Sequence, residues 1–168
     1  MIIWLNGPFG VGKTQTASEL NKRIEKSFIY DPENMGDFIQ KNIPLKIKKD
    51  DFQDYKIWRE FNYSYIKFLY ENYSGTVIVP MTLVNYEYYN NIITELRKNG
   101  VKVKMITLIA SKETIINRLN NRGDDKDSWP VNQINRCLKG LEENEFEDYI
   151  NTDKLTINEV VDRILEKI

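Results

Sequence analysis

The eight residues Gly7-Pro8-Phe9-Gly10-Val11-Gly12-Lys13-Thr14 match the pattern G-x-x-x-x-G-K-[ST] in full. Glycines at those places let successive backbone N–H groups turn inward and cradle phosphate oxygens. The candidate nucleotide-binding residues are therefore Gly7, Phe9, Gly10, Val11, Gly12, Lys13, Thr14 and Gln15. Lys13 is placed to reach the β and γ phosphates as a catalytic cation, and the Thr14 hydroxyl is the expected Mg2+ ligand. A turn that used glycine for geometry alone would have no need of Lys and Thr at its end. A dinucleotide fingerprint is excluded, because Gly10-Val11-Gly12 runs straight into Lys-Thr-Gln. ATP and Mg2+ are the expected cofactors.

Asp31 follows a short apolar run, where an acceptor hydroxyl would lie, and a carboxylate there can take its proton. Asp31-Pro32 reads equally as a turn initiator, and one residue can serve both ends. Glu33 is the second candidate. Arg118 and Arg122 stand four apart on one helical face and lead into a polar loop. They suit a lid that closes on developing phosphoryl charge, and they also suit a solvated surface. Eight of the ten tyrosines fall between Tyr55 and Tyr89. Their helical spacing favours core, with an acceptor wall as the other reading. Arg59 is the polar exception on that helix; with Tyr63, Asp31 and Glu33 it completes the acceptor-binding candidates.

Other chemistries fall away. There is no histidine and one cysteine, which removes His-based triads, His metal ligands and any intrachain disulfide. Neither Asn-Lys-x-Asp nor D-x-x-G occurs, so the GTPase reading fails. A motor or AAA-type ATPase would end a strand on an acid to hold Mg2+, whereas the third strand ends Val79-Pro80-Met81-Thr82. A compact small-molecule kinase remains. A formal net charge of −1 offers no global field for nucleic acid. With 17 Lys, 18 Asn and 21 Ile in 168 residues, scattered lysines carry little weight as a binding patch. The run Glu142, Glu143, Glu145, Glu147, Asp148 reads as a solvated helix end.

The elements that must hold these groups alternate. Apolar runs at 2–5, 28–30, 76–80, 103–109 and 149–151 read as strands. Helical spacing marks segments at 17–24, 33–42, 51–73, 89–96, 111–119 and 131–143, and a capping box at Thr156 opens the last helix. Residues 120–130 read as a polar loop. Strand–helix alternation builds a parallel sheet with helices on both faces and ligands at the carboxyl ends of the strands. The expectation is a single α/β domain over 1–168: a three-layer αβα sandwich with five parallel strands, a phosphate loop and a helical lid near 118–130. The longest charge-free run, 72–86, is 15 residues long and contains Pro80, too short to span a bilayer. The N-terminus lacks a charged n-region, so a cytoplasmic location is expected.

Several stretches resemble the bacterial tunicamycin-resistance protein family. They are Met1-Ile2-Ile3-Trp4 through Thr14-Gln15-Thr16, Tyr30-Asp31-Pro32-Glu33, Asp50-Asp51-Phe52-Gln53 with Trp58-Arg59, and Phe61-Asn62-Tyr63-Ser64. Further pieces are Val77-Ile78-Val79-Pro80-Met81-Thr82, Ala110-Ser111-Lys112-Glu113-Thr114, Ser128-Trp129, and Phe146-Glu147-Asp148 leading to Thr152-Asp153. More broadly the chain is similar to shikimate-kinase-like and chloramphenicol-phosphotransferase-like P-loop kinases. That resemblance implies Asp31 as base, Arg118 and Arg122 as lid arginines, and Asn151-Thr152-Asp153 as the turn beside adenine. It implies an ATP-binding protein that gives resistance to tunicamycin, a nucleoside antibiotic, by phosphorylating the drug or by sequestering it. The resemblance also implies a longer C-terminal tail than this sequence carries, with membrane association as its role, which leaves peripheral membrane contact open here.

Overall fold

The computed structural model describes residues 1–125 and 128–168. Lys126 and Asp127, two residues of the expected lid loop, lie outside the described residues. Five parallel strands form one sheet in the order β2-β3-β1-β4-β5. They are β1 (Ile2–Asn6), β2 (Ser27–Ile29), β3 (Thr76–Pro80), β4 (Val103–Ile109) and β5 (Tyr149–Asn151). The helices are α1 (Lys13–Arg23), α2 (Glu33–Lys41), α3 (Lys56–Asn72), α4 (Tyr86–Tyr89), α5 (Glu95–Lys98), α6 (Lys112–Arg122), α7 (Trp129–Asn132), α8 (Ile134–Glu143) and α9 (Ile157–Leu165).

Side chains alternate across a strand, so β1 feeds two layers at once. Ile2 and Trp4 join the core under α3, α5 and α8, while Ile3 and Leu5 join the core under α1, α6 and α9. Val77 and Val79 face the first layer and Ile78 the second. A strand covered on both faces has no polar side to show, which is why these strands read as continuous apolar runs. The pairing of β1 with both β3 and β4 puts Asn6, and the loop after it, at the carboxyl edge in mid-sheet.

Several boundaries differ from expectation for local reasons. The helix expected over 51–73 begins only at Lys56. Asp51 instead caps a 3-10 turn, Phe52–Asp54, by accepting the Gln53 N–H. The helix expected over 89–96 runs on from α4 through a π-helical stretch, Asn90–Thr94, into α5. The expected loop over 120–130 is shorter: α6 continues to Arg122, Gly123 caps it at φ 95°, and α7 starts at Trp129. The acidic run is not all solvated. Glu147 accepts from Arg97 Nη2 at 2.8 Å and from Tyr89 Oη at 2.8 Å, and Asp148 pairs with Lys104 and Lys167.

One contact shapes the cleft from below. A Cβ added to Gly36 on α2 would lie 2.4 Å from the Phe52 ring. Gly36→Ala is expected to cost about 1–3 kcal/mol through overpacking, read as a lower urea midpoint at unchanged m-value.

Candidate functional site

The phosphate loop sits between β1 and α1. Gly7, Gly10 and Gly12 take φ of 133°, 77° and 106°, a region that side-chain-bearing residues rarely adopt. Gly7 has a second constraint, since a Cβ there would lie 2.3 Å from the Leu108 carbonyl oxygen. Gly12 caps α1, whose first turn carries no acidic residue. The opening N–H groups of that helix are thus left for an anion.

Lys13 is only 8% exposed. Its Nζ donates to the Gly7 and Pro8 carbonyls, each at 2.9 Å, and lies 5.4 Å from the Phe9 ring centre. Burial lowers its pKa from 10.5 to about 8, with the carboxylates of Glu33 and Asp31 acting in the opposite sense. The folded protein therefore holds fewer protons than the unfolded chain between about pH 8 and 10.5, and its stability without nucleotide rises with pH across that window. A phosphate chain needs the ammonium. Affinity for a nucleotide's phosphate chain is expected to fall as pH rises through about 8, by up to about tenfold per unit, and Lys13→Met should flatten that fall. Calorimetry from neutral to alkaline pH measures it.

One cavity of about 1330 Å³ joins this loop to the opposite wall. Asp31 and Glu33 line that wall, just beyond β2. Asp31 Oδ1 accepts the Glu33 N–H at 2.9 Å, which makes the turn, and its Oδ2 carries no hydrogen bond to a described residue. Burial raises the pKa of both carboxyls; the charge of Asp37 pushes both further up, that of Asp31 adds to the rise at Glu33, and the Lys13 ammonium pulls both down.

Arg118 reaches the cavity but is not free. Its Nη1 donates to Thr152 Oγ1 at 2.9 Å and to the Val11 carbonyl at 3.3 Å, and its Nη2 donates to the Thr152 carbonyl at 2.7 Å. It staples the phosphate loop to the turn after β5. Arg122, one turn on, lines the same cavity and pairs through Nε with Asp124 at 2.6 Å.

The structure thus brings Phe9 to Gln15, Asp31, Glu33, Arg118, Arg122 and Thr152 to one cavity. Gly7 lies buried beneath it. Three candidates are placed elsewhere. Arg59 is buried, with Nη1 donating to the Gln53 carbonyl at 2.6 Å, Nε to Asn91 Oδ1 at 3.0 Å and its guanidinium over the Tyr88 ring. Tyr63 packs against the core below α3. Asp153 turns away to accept the Ser111 N–H at 2.8 Å, tying the turns after β4 and β5 together. The tyrosine-rich helix does not wall the cavity either. Trp58 is in the core, and Phe61, Tyr65 and Phe68 stack on the outer face.

The aromatic wall comes from other residues: Phe52, Phe9 and Trp129, the last two in edge contact at 5.1 Å. Asp37, Leu45, Lys48 and Lys49 also line it. The four-residue step from Glu33 to Asp37 was a readable signal, since it repeats a helical face. The two lysines were hidden by the lysine-rich composition. Leu155 and Ile157 complete the wall near Thr152.

The chain matches an AAA-domain family model over residues 3–149. The sequence argument against AAA-type proteins is corrected to that extent, although β3 still ends without a carboxylate. None of the curated proteins searched matches the chain. Among solved structures, a tunicamycin resistance protein from Deinococcus radiodurans is 30% identical with a TM-score of 0.82, and the match covers 99% of this chain and 94% of that one. A sugar kinase from Janibacter is 18% identical, TM-score 0.66, over 98% and 92% of the two chains. A shikimate kinase from Bacteroides thetaiotaomicron is 15% identical, TM-score 0.65, over 99% and 97%. These last two establish a shared P-loop kinase-like fold. Among the described residues no helix is long and apolar enough to cross a membrane.

Proposed function

The chain belongs to the tunicamycin-resistance protein family of AAA-domain P-loop proteins, and from that premise we propose that it is a small-molecule kinase. It transfers a phosphoryl group from Mg·ATP to a hydroxyl of a small acceptor, with tunicamycin or another nucleoside-like compound as that acceptor. The observation that carries this reading is that one cavity has the phosphate loop on one wall and the carboxylates of Asp31 and Glu33 on the other.

The residues divide the work as follows. The loop amides and Lys13 grip the phosphate chain and neutralise charge that builds on the transferred group. The Thr14 hydroxyl would hold a Mg2+ ion, which would supply positive charge beside the phosphates. Thr82, two residues past β3, has its hydroxyl turned to the Gly7 carbonyl and would not serve as a metal ligand. Asp31 Oδ2 takes the acceptor's proton as the acceptor oxygen bonds to the γ-phosphorus. The bond to the β–γ bridging oxygen breaks and ADP leaves. Burial favours this role, because it moves a carboxyl upward toward a working pH. Arg122 meets the charge from the lid side. Arg118, with Thr152, Leu155 and Ile157, forms the wall offered to the base.

Bound Mg·ATP supplies the phosphoryl group, so the test follows that group. Tunicamycin incubated with the protein and Mg·ATP is expected to gain the mass of one phosphoryl group, with turnover beyond one per protein. Drug retained unmodified at one per protein would instead make this a sequestering protein.

A further inference from the structure

Several pieces of the family-like sequence lie off the cavity: Asp51, Gln53, Arg59, and Thr82. The structure joins them in one buried hydrogen-bonded chain. Arg136 on α8 donates from Nη2 to Asp51 Oδ2 at 2.8 Å. Asp51 Oδ1 accepts the Gln53 N–H at 2.9 Å. Gln53 Nε2 donates to the Thr82 carbonyl at 2.8 Å, while its own carbonyl accepts from Arg59. Thr82 Oγ1 then donates to the Gly7 carbonyl at 2.8 Å, the same oxygen that accepts Lys13 Nζ at 2.9 Å.

Two features make this more than satisfied polar burial. Gln53 and Thr82 are 3% and 0% exposed, sites where an apolar side chain of the same shape would cost nothing in solvation. The hydroxyl is spent on one particular acceptor, the carbonyl of the first glycine of the phosphate loop, two residues past the end of β3. Phe52, between Asp51 and Gln53, reaches the cavity from the same turn. One short turn therefore carries an acceptor-side wall and holds the loop on the nucleotide side.

We propose that Gln53 and Thr82 are positioning residues for the phosphate loop: they hold the Gly7 carbonyl, and through it the Lys13 ammonium, in register with the turn that presents Phe52. The expected effect on ATP rests on the nucleotide-binding reading above. The effect on the loop does not.

Three variants test it: Thr82→Val, Thr82→Ser and Gln53→Met. Two amides report on the empty loop, Val11, which donates to Pro8, and Thr16, which donates to Gly12. In nucleotide-free protein, Thr82→Val is expected to speed their hydrogen exchange about tenfold while amides of β4 stay at the wild-type rate. Its Mg·ATP dissociation constant rises about tenfold by calorimetry. Thr82→Ser, which keeps the hydroxyl, restores both to within about twofold, and Gln53→Met moves both in the same direction by about threefold. Wild-type loop exchange in Thr82→Val overturns the proposal. So does faster exchange spread evenly over the sheet and left unrescued by Ser, which marks a general packing role. If wild-type protein binds no ATP, the kinase reading falls, and the exchange of the empty loop still decides the positioning role.

Discussion

Asp31→Asn is expected to bind Mg·ATP within a few-fold of wild type and to transfer the phosphoryl group at least about 100-fold more slowly. The substitution keeps the shape of the side chain, and its carbonyl oxygen can still accept the Glu33 N–H that makes the turn. What it loses is a site for the acceptor's proton. Nucleotide affinity depends on the opposite wall and is left alone. Single-turnover transfer to tunicamycin and ATP calorimetry on the same two proteins separate these effects. Transfer at the wild-type rate would leave Asp31 as a turn residue. Glu33→Gln is the matching control, because Glu33 lies on the same wall and shares the field of Lys13. A loss confined to Glu33→Gln would move the base to that residue.

The second large effect belongs to Lys13. ATP at about 100 times its Kd is expected to stabilise the wild-type protein by about 2.7 kcal/mol. For a chain of this size that corresponds to a rise of roughly 5–10 °C in Tm. Lys13→Ala should remove most of that gain, since it deletes the one buried cation of the phosphate loop. The comparison is between gains and not between melting points. Lys13 also holds the Gly7 and Pro8 carbonyls, and its own charge is costly at 8% exposure, so the nucleotide-free variant has a different baseline. A full ATP-induced gain in Lys13→Ala, or no gain in wild type, would defeat the assignment.

What could be read along the chain was whatever depends on neighbours in sequence. The phosphate loop is eight consecutive residues whose glycines, lysine and threonine state their geometry locally, and the structure places them at a strand-to-helix turn as expected. Strand–helix alternation was legible for the same reason: β1 is apolar from Ile2 to Leu5 and β3 from Val77 to Pro80, because both faces are covered. Asp31 stood out because it closely follows a strand. Arg59, Tyr63 and Asp153 were not decidable in this way. Each is polar and set among motif residues, and only the folded chain shows Arg59 spent on Gln53 and Asn91, Tyr63 on the core, and Asp153 on Ser111. The cavity wall formed by Phe52, Trp129 and the Lys48–Lys49 pair is likewise assembled from segments far apart in sequence. Periodicity records which residues of one element share a face. It carries no information on which face of another element comes to meet them, and that meeting decided which polar groups were left for a ligand and which were used up in holding the fold.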